Sequence, residues 1–143
     1  MSSIPPSIDH VGWRLWCASQ AWKERFVAGM LASGHHWYAE ARSSIIPHLD
    51  REGTRQGTLA QRMGLSKQAV QQLVDDLERE GIVERRQDPV DRRGKIVTFT
   101  QKGLKALSDA NRVKREVEAD FCNKLGEADF ATLDDLLQRV VQE

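Results

Sequence analysis

Long hydrophobic runs are missing from this sequence: Arg, Lys, Asp or Glu interrupts every extended apolar stretch, which argues against a membrane-spanning helix. Residues 1–10 (MSSIPPSIDH) show no basic start leading into an apolar run, so no secretory leader is expected. Cysteine is scarce, and Cys17 and Cys122 stand far apart without paired spacing, which excludes a disulfide framework and a four-ligand zinc site. Together these absences predict a soluble chain of the cytoplasm with no membrane partner. Histidine is thin as well. His10 and His48 are scattered, and adjacent His35 and His36 would diverge on a helix, so no metal site is expected. There is no Gly-rich phosphate loop, no nucleophile elbow and no histidine set beside a serine or cysteine, so neither enzyme chemistry nor a cofactor is expected.

Net charge is also absent, because 21 Lys and Arg balance 21 Asp and Glu. The distribution is uneven, however. Between Arg51 and Lys105 basic residues outnumber acidic ones twelve to eight, while the flanks hold nine basic and thirteen acidic residues. The middle of the chain is therefore the candidate anion-binding region.

What is present fits a single domain over residues 1–143, 40% hydrophobic and 29% charged. After a loose arm containing Pro5 and Pro6, Ser7 or Asp9 can cap a helix to about Leu31, with Val11, Leu15, Ala18, Trp22 and Phe26 on one stripe. Ser33 and Gly34 end it. A second helix is predicted from about His36 to Leu49, burying Trp37, Ala41, Ile45 and Leu49, and a short third over roughly Gly57 to Met63. Ser66 caps a fourth, whose Val70, Leu73, Val74 and Leu77 face inward up to Gly81. Two alternating runs, Ile82 to Arg86 and Lys95 to Thr100, then flank a turn-rich segment and read as a hairpin. Thr100 caps a long fifth helix carrying Leu104, Leu107, Val113, Val117 and Phe121, and a last helix aligns Phe130, Leu133, Leu137 and Val140. The fold class is thus mainly α with a small β-hairpin. The apolar terminal helices exceed what the central unit can cover, which predicts a homodimer.

Residues 58–80 (TLAQRMGLSKQAVQQLVDDLERE) have the shape of a helix-turn-helix, in which one helix braces against the backbone and the next offers its first turns to the major groove. Gly64 supplies the turn. Beyond the Ser66 cap, Lys67, Gln68, Gln71 and Gln72 crowd the outer face with groups able to bond bases or phosphates. Asp75, Asp76, Glu78 and Glu80 gather further along, where a phosphate would be repelled, so the helix is expected to enter the groove by its N-terminus. The hairpin tip adds Arg92, Arg93 and Lys95, suited to a flanking minor groove or its phosphates, with Asp91 pairing one of the arginines.

The run from Thr58 to Gly103, including LAQRMGLSKQAVQQLVDDLEREGIVERR and DPVDRRGKIVTFTQKG, resembles the core signature of the MarR family, down to its Asp-Pro-x-Asp-Arg-Arg wing and the Thr-x-x-Gly lead-in to the fifth helix. The resemblance implies a winged helix-turn-helix over residues 36–100 and dimerisation helices over 8–33 and 102–143. It further implies a homodimeric regulator of transcription, expected to be a repressor on an inverted repeat of double-stranded DNA. Ser66, Lys67, Gln68, Gln71 and Gln72 fall at recognition-helix positions, and Asp91, Arg92 and Arg93 in the wing; Gln72 stands where the family commonly has arginine. The family often binds small, frequently aromatic ligands near the dimer interface. Trp16 and Trp37 are the candidates for lining such a cleft, with packing as their competing role. Peroxide-sensing members carry a reactive cysteine on the first helix, supported by tyrosine hydroxyls. Here Tyr38 is the sole tyrosine, so Cys17 is expected to be a buried, inert thiol. The alternatives are redox sensing through Cys17 and a winged-helix module that binds proteins instead of DNA.

Overall fold

The computed structural model describes residues 3–39 and 41–142. Helix α1 spans Val11–Ala32, with the His10 ring accepting the Trp13 amide at its start. It stops at Ser33, and Gly34 follows at φ 91°. The predicted second helix is instead two 3₁₀ helices, His36–Ala39 and Ala41–His48. Pro47 lies inside the latter and offers no amide hydrogen, which disfavours α-helical pairing there. Trp37, Ile45 and Leu49 are buried as expected, while the Ala41 side chain lies outside the described residues.

Helices α2 (Gln56–Met63) and α3 (Lys67–Arg79) are joined through Gly64, which adopts the left-handed conformation at φ 63°. Strands β2 (Val83–Gln87) and β3 (Lys95–Phe99) form the expected antiparallel hairpin, from Val83 opposite Phe99 to Gln87 opposite Lys95. The sheet has a third member. Strand β1 (Thr54–Arg55) pairs with the other edge of β3, giving the order β1-β3-β2.

Thr100 caps α4 (Gln101–Leu125), its hydroxyl accepting the Gly103 amide at 3.0 Å. The buried line of α4 is Gly103, Ala106, Ala110, Val113 and Val117, whereas Leu104, expected inside, is 41% exposed. Small residues let α4 approach the central unit closely. A Cβ on Gly103 would collide with the Ile82 carbonyl, which is the physical reason for glycine three residues after the capping threonine.

Two cores result. One joins Trp37, Ile45, Leu59, Val70, Val74, Leu77, Ile82 and Val97 beneath the winged unit; the other packs Phe26 and Met30 of α1 on Ala110, Val113 and Val117 of α4. The α1 stripe is only partly used. Phe26 is buried and Trp22 half-buried, but Val11, Leu15 and Ala18 are exposed within one chain. Helix α5 (Glu127–Val141) buries none of its described residues.

Candidate nucleic-acid interface

The start of α3 is fixed by Ser66, whose hydroxyl accepts the Ala69 amide at 3.1 Å. Val70, Val74 and Leu77 are fully buried beneath the helix, so Lys67, Gln68, Gln71 and Gln72 stand on the exposed side. Gln72 is partly committed, because its amide donates to Asp76 at 3.2 Å.

The hairpin tip is held by a local set of bonds. Asp88 is buried and accepts the Val90 amide at 2.9 Å, while Arg55 at the end of β1 reaches it through Nε at 2.9 Å. These contacts, the backbone bonds first, hold the Asp88 carboxyl below the usual carboxylate range. Asp91 pairs with Arg93 as expected, at 3.3 Å, and also meets Arg55 at 3.5 Å. Arg92 bonds through its carbonyl, which accepts the Gln87 amide at 3.0 Å, leaving its side chain exposed.

Between these elements lies a cleft of about 1090 Å³. The structure brings Ser66, Lys67, Gln71, Arg93 and Lys95 to its walls, together with Arg55, Thr58 and Gln61, which carry no distinguishing sequence signal. Gln68, Gln72 and Arg92 are exposed but do not line it. Arg55 became legible only once β1 paired with β3, since a two-residue strand has no periodicity to read.

The acidic residues of α3 are placed differently from their expected role. Asp75 and Glu78 meet Arg85 of β2, Asp76 meets Arg79, and Glu80 meets Arg42 at 3.0 Å. They neutralise basic side chains of the fold rather than standing as an open negative end.

A sequence model of the MarR family matches residues 42–94, the segment from the second 3₁₀ helix to the wing. Solved structures agree over nearly the whole length. A MarR-family transcriptional regulator from Rhodococcus sp. RHA1 is 25% identical, with a TM-score of 0.66 over 91% of both chains. From its second 3₁₀ helix to the wing the chain is similar to the MarR family. Its fold also matches apo MarR from E. coli, at a TM-score of 0.72 and 20% identity over 95% of this chain and 100% of that one. CouR from Rhodococcus jostii RHA1, solved bound to p-coumaroyl-CoA, is 26% identical over 92% of both chains, with a TM-score of 0.66. Among curated proteins, one assigned to transcriptional regulation of the hcr operon in Thauera aromatica is 30% identical over 91 residues, 64% of this chain and 55% of its own length. An uncharacterized HTH-type transcriptional regulator of Bacillus subtilis is 36% identical over 74 residues, 52% of this chain and 48% of its own. The chain thus spans about half the length of the curated relatives it matches.

The remaining expected sites fare unevenly. Trp37 is sealed in the core at 4% exposure, whereas Trp16 is 54% exposed and stacks on Trp13 with ring centroids 5.1 Å apart. One is walled in and the other open, so the structure does not assemble them into one cleft. Cys17, expected to be buried, is exposed on α1, where the side chains around it are also uncovered within one chain. Tyr38 packs elsewhere, edge-on to Phe26 and against Trp37. No described helix is long and apolar enough to cross a membrane.

Proposed function

We propose that this chain is a cytoplasmic regulator of transcription that binds duplex DNA in a sequence-specific way as a homodimer, acting as a repressor on an inverted repeat. The observation that carries the reading is the cleft itself. One wall is the N-terminal turn of a capped, rigidly seated α3 bearing Lys67 and Gln71, and another is a wing bearing Arg93 and Lys95. Amides and cations on the helix suit base edges, and cations on the wing suit phosphates or a narrow minor groove. The names of the Thauera aromatica and Bacillus subtilis relatives support it. A winged module that bound only proteins would have little use for such a set of cations.

Residues 36–100 form the DNA-binding unit in this proposal, and residues 8–33 and 102–143 the dimerisation helices. Val11, Trp13, Leu15 and Trp16 of α1 and Leu133, Leu136, Leu137, Val140 and Val141 of α5 are all exposed in the single chain. Full burial of such a side chain is worth about 1.5–3 kcal/mol. Covering the exposed part of these faces with a second copy supplies the favourable apolar term of association, which loss of rotational and translational freedom opposes. A small effector that releases DNA completes the proposal, supported by the ligand present in the Rhodococcus jostii relative. Trp37 is sealed in the core, so Trp16, on the face given to the dimer interface, is the tryptophan beside which such a ligand would lie.

Incubating purified full-length protein with random duplex fragments and sequencing what it retains tests the reading. Enrichment of an inverted repeat is expected. Retention of no preferred sequence at physiological salt would remove DNA recognition from the proposal.

A further inference from the structure

Arg85 sits in the middle of β2, opposite Val97, with a side chain only 16% exposed. All three nitrogens of its guanidinium are engaged. Nη1 lies 2.7 Å from Asp75 Oδ1 and 3.3 Å from Glu78 Oε1, Nη2 donates to the Gln71 carbonyl at 3.1 Å, and Nε donates to Gln56 Oε1 at 3.0 Å. The Arg85 backbone amide adds a bond to the other Glu78 oxygen at 3.1 Å. Gln71, Asp75 and Glu78 follow one another at i, i+4 and i+7, so they form a single line along α3. Gln56 is the first residue of α2.

One planar fork on the wing's own strand therefore grips the recognition helix at three successive turns and the start of the helix before it. Resting on the DNA-binding reading above, the geometry points to Arg85 as the positioning residue that sets the angle between α3 and the wing without touching DNA. The contacts reach both elements of a two-part reader, and both must meet the duplex at once for either to lie in register. A fork with fixed donor directions holds orientation in a way that a lysine cannot, since an ammonium is a point charge on a flexible stem. The grip also consumes Asp75 and Glu78, which otherwise would face an incoming phosphate as bare carboxylates.

The decisive variant is Arg85→Lys in the full-length protein, because it keeps the charge and removes the fork. Affinity for the selected operator should fall about tenfold, the scale of one lost base contact. Affinity for random duplex and the salt dependence should stay as in wild type, at a temperature where circular dichroism shows both proteins folded. Glu78→Gln, at an exposed position, should show the same pattern at about threefold, as expected for one weakened bond. A second readout needs no DNA: with Cys17 and Cys122 replaced by serine, spin labels on Gln72→Cys and Val90→Cys report the distance between α3 and the wing tip. A narrow distribution with Arg85 that broadens in Arg85→Lys supports the brace. Operator binding at wild-type strength in Arg85→Lys, or an unchanged distance distribution, would overturn it. A parallel loss on random DNA with a flatter salt dependence would also overturn it, by making Arg85 a direct phosphate contact. If the wild-type protein selects no sequence, the DNA reading fails by itself, and the spin-label distances alone judge the brace.

Discussion

A buried polar side chain in this chain is legible only through its partner. His35 is an example: it is 7% exposed, and its Nε2 lies 2.8 Å from Asp109 Oδ2, joining the loop after α1 to α4. An ionised carboxylate only accepts, so this nitrogen carries the hydrogen. Lys105 reaches the same oxygen at 3.2 Å. The His35 bond first, and Lys105 after it, hold the Asp109 carboxyl below the usual carboxylate range. Asp50, held down chiefly by its bond from Arg62, and Asp88 share that direction. A carboxyl with a depressed folded-state pKa binds its proton more weakly than in the unfolded chain. Its stabilising contribution is complete above the ordinary aspartate pKa and drains away as pH falls through that value towards the folded one. Asp109→Asn should therefore lower the melting temperature at neutral pH and flatten its decline on acidification, as read from thermal melts taken between neutral pH and about pH 3. An acid limb of unchanged slope would show that Asp109 contributes nothing to it.

Elements with regular patterns were legible in the sequence, and those defined by a few long-range bonds were not. Helix α3 declared itself through a capping serine, an apolar stripe and a glycine exit, and each appears in the structure. Helix α4 was legible from Thr100 and Gly103, although its buried line runs through small residues that periodicity of large ones does not mark. The stretch 36–49 read as a helix because 3₁₀ and α patterns bury similar residues, and strand β1 was too short to read. The same division applies to the interface. Lys67, Gln71, Arg93 and Lys95 were readable as exposed polar residues on predictable faces, but Arg55 and Arg85 acquire meaning only from partners far along the chain. If α3 reads bases and the wing reads phosphates, the two should fail differently. Gln68→Ala and Gln71→Ala should each cost about 1–3 kcal/mol on the best operator and much less on random DNA. Arg92→Ala or Arg93→Ala should weaken both and reduce the log–log salt slope by about one unit per subunit. Titrations at several salt concentrations separate these outcomes, and wing variants that bind like wild type would remove the wing from the interface.

At the scale of the whole molecule, the uncovered surfaces decide how the reader is used. Helix α5 packs on α4 and leaves its leucines open, and the N-terminal half of α1 leaves Trp13, Leu15 and Trp16 open, while both α1 and α4 remain anchored to each other through Phe26, Met30, Val113 and Val117. Covering these faces with a second copy places two clefts in one particle, related by a two-fold axis. A symmetric particle reads a symmetric site, with half-sites roughly one helical turn, about 10 base pairs, apart from centre to centre. Light scattering should then show a dimer at micromolar concentration, and Leu136→Asp with Leu137→Asp should shift it towards monomer with a steep loss of operator affinity. Changing the DNA instead of the protein gives the sharper test. Inserting about five base pairs between half-sites turns the second one to the opposite face of the duplex, where a rigid dimer cannot reach it, whereas inserting about ten restores the face at a longer span. The first insertion should reduce affinity to that of a single half-site, because the second α3 then meets a groove whose bases are not those of its half-site. Tight binding across the five-base-pair insertion, or a full-length monomer that binds as tightly as the dimer is expected to, would show that the two clefts do not act as one rigid pair.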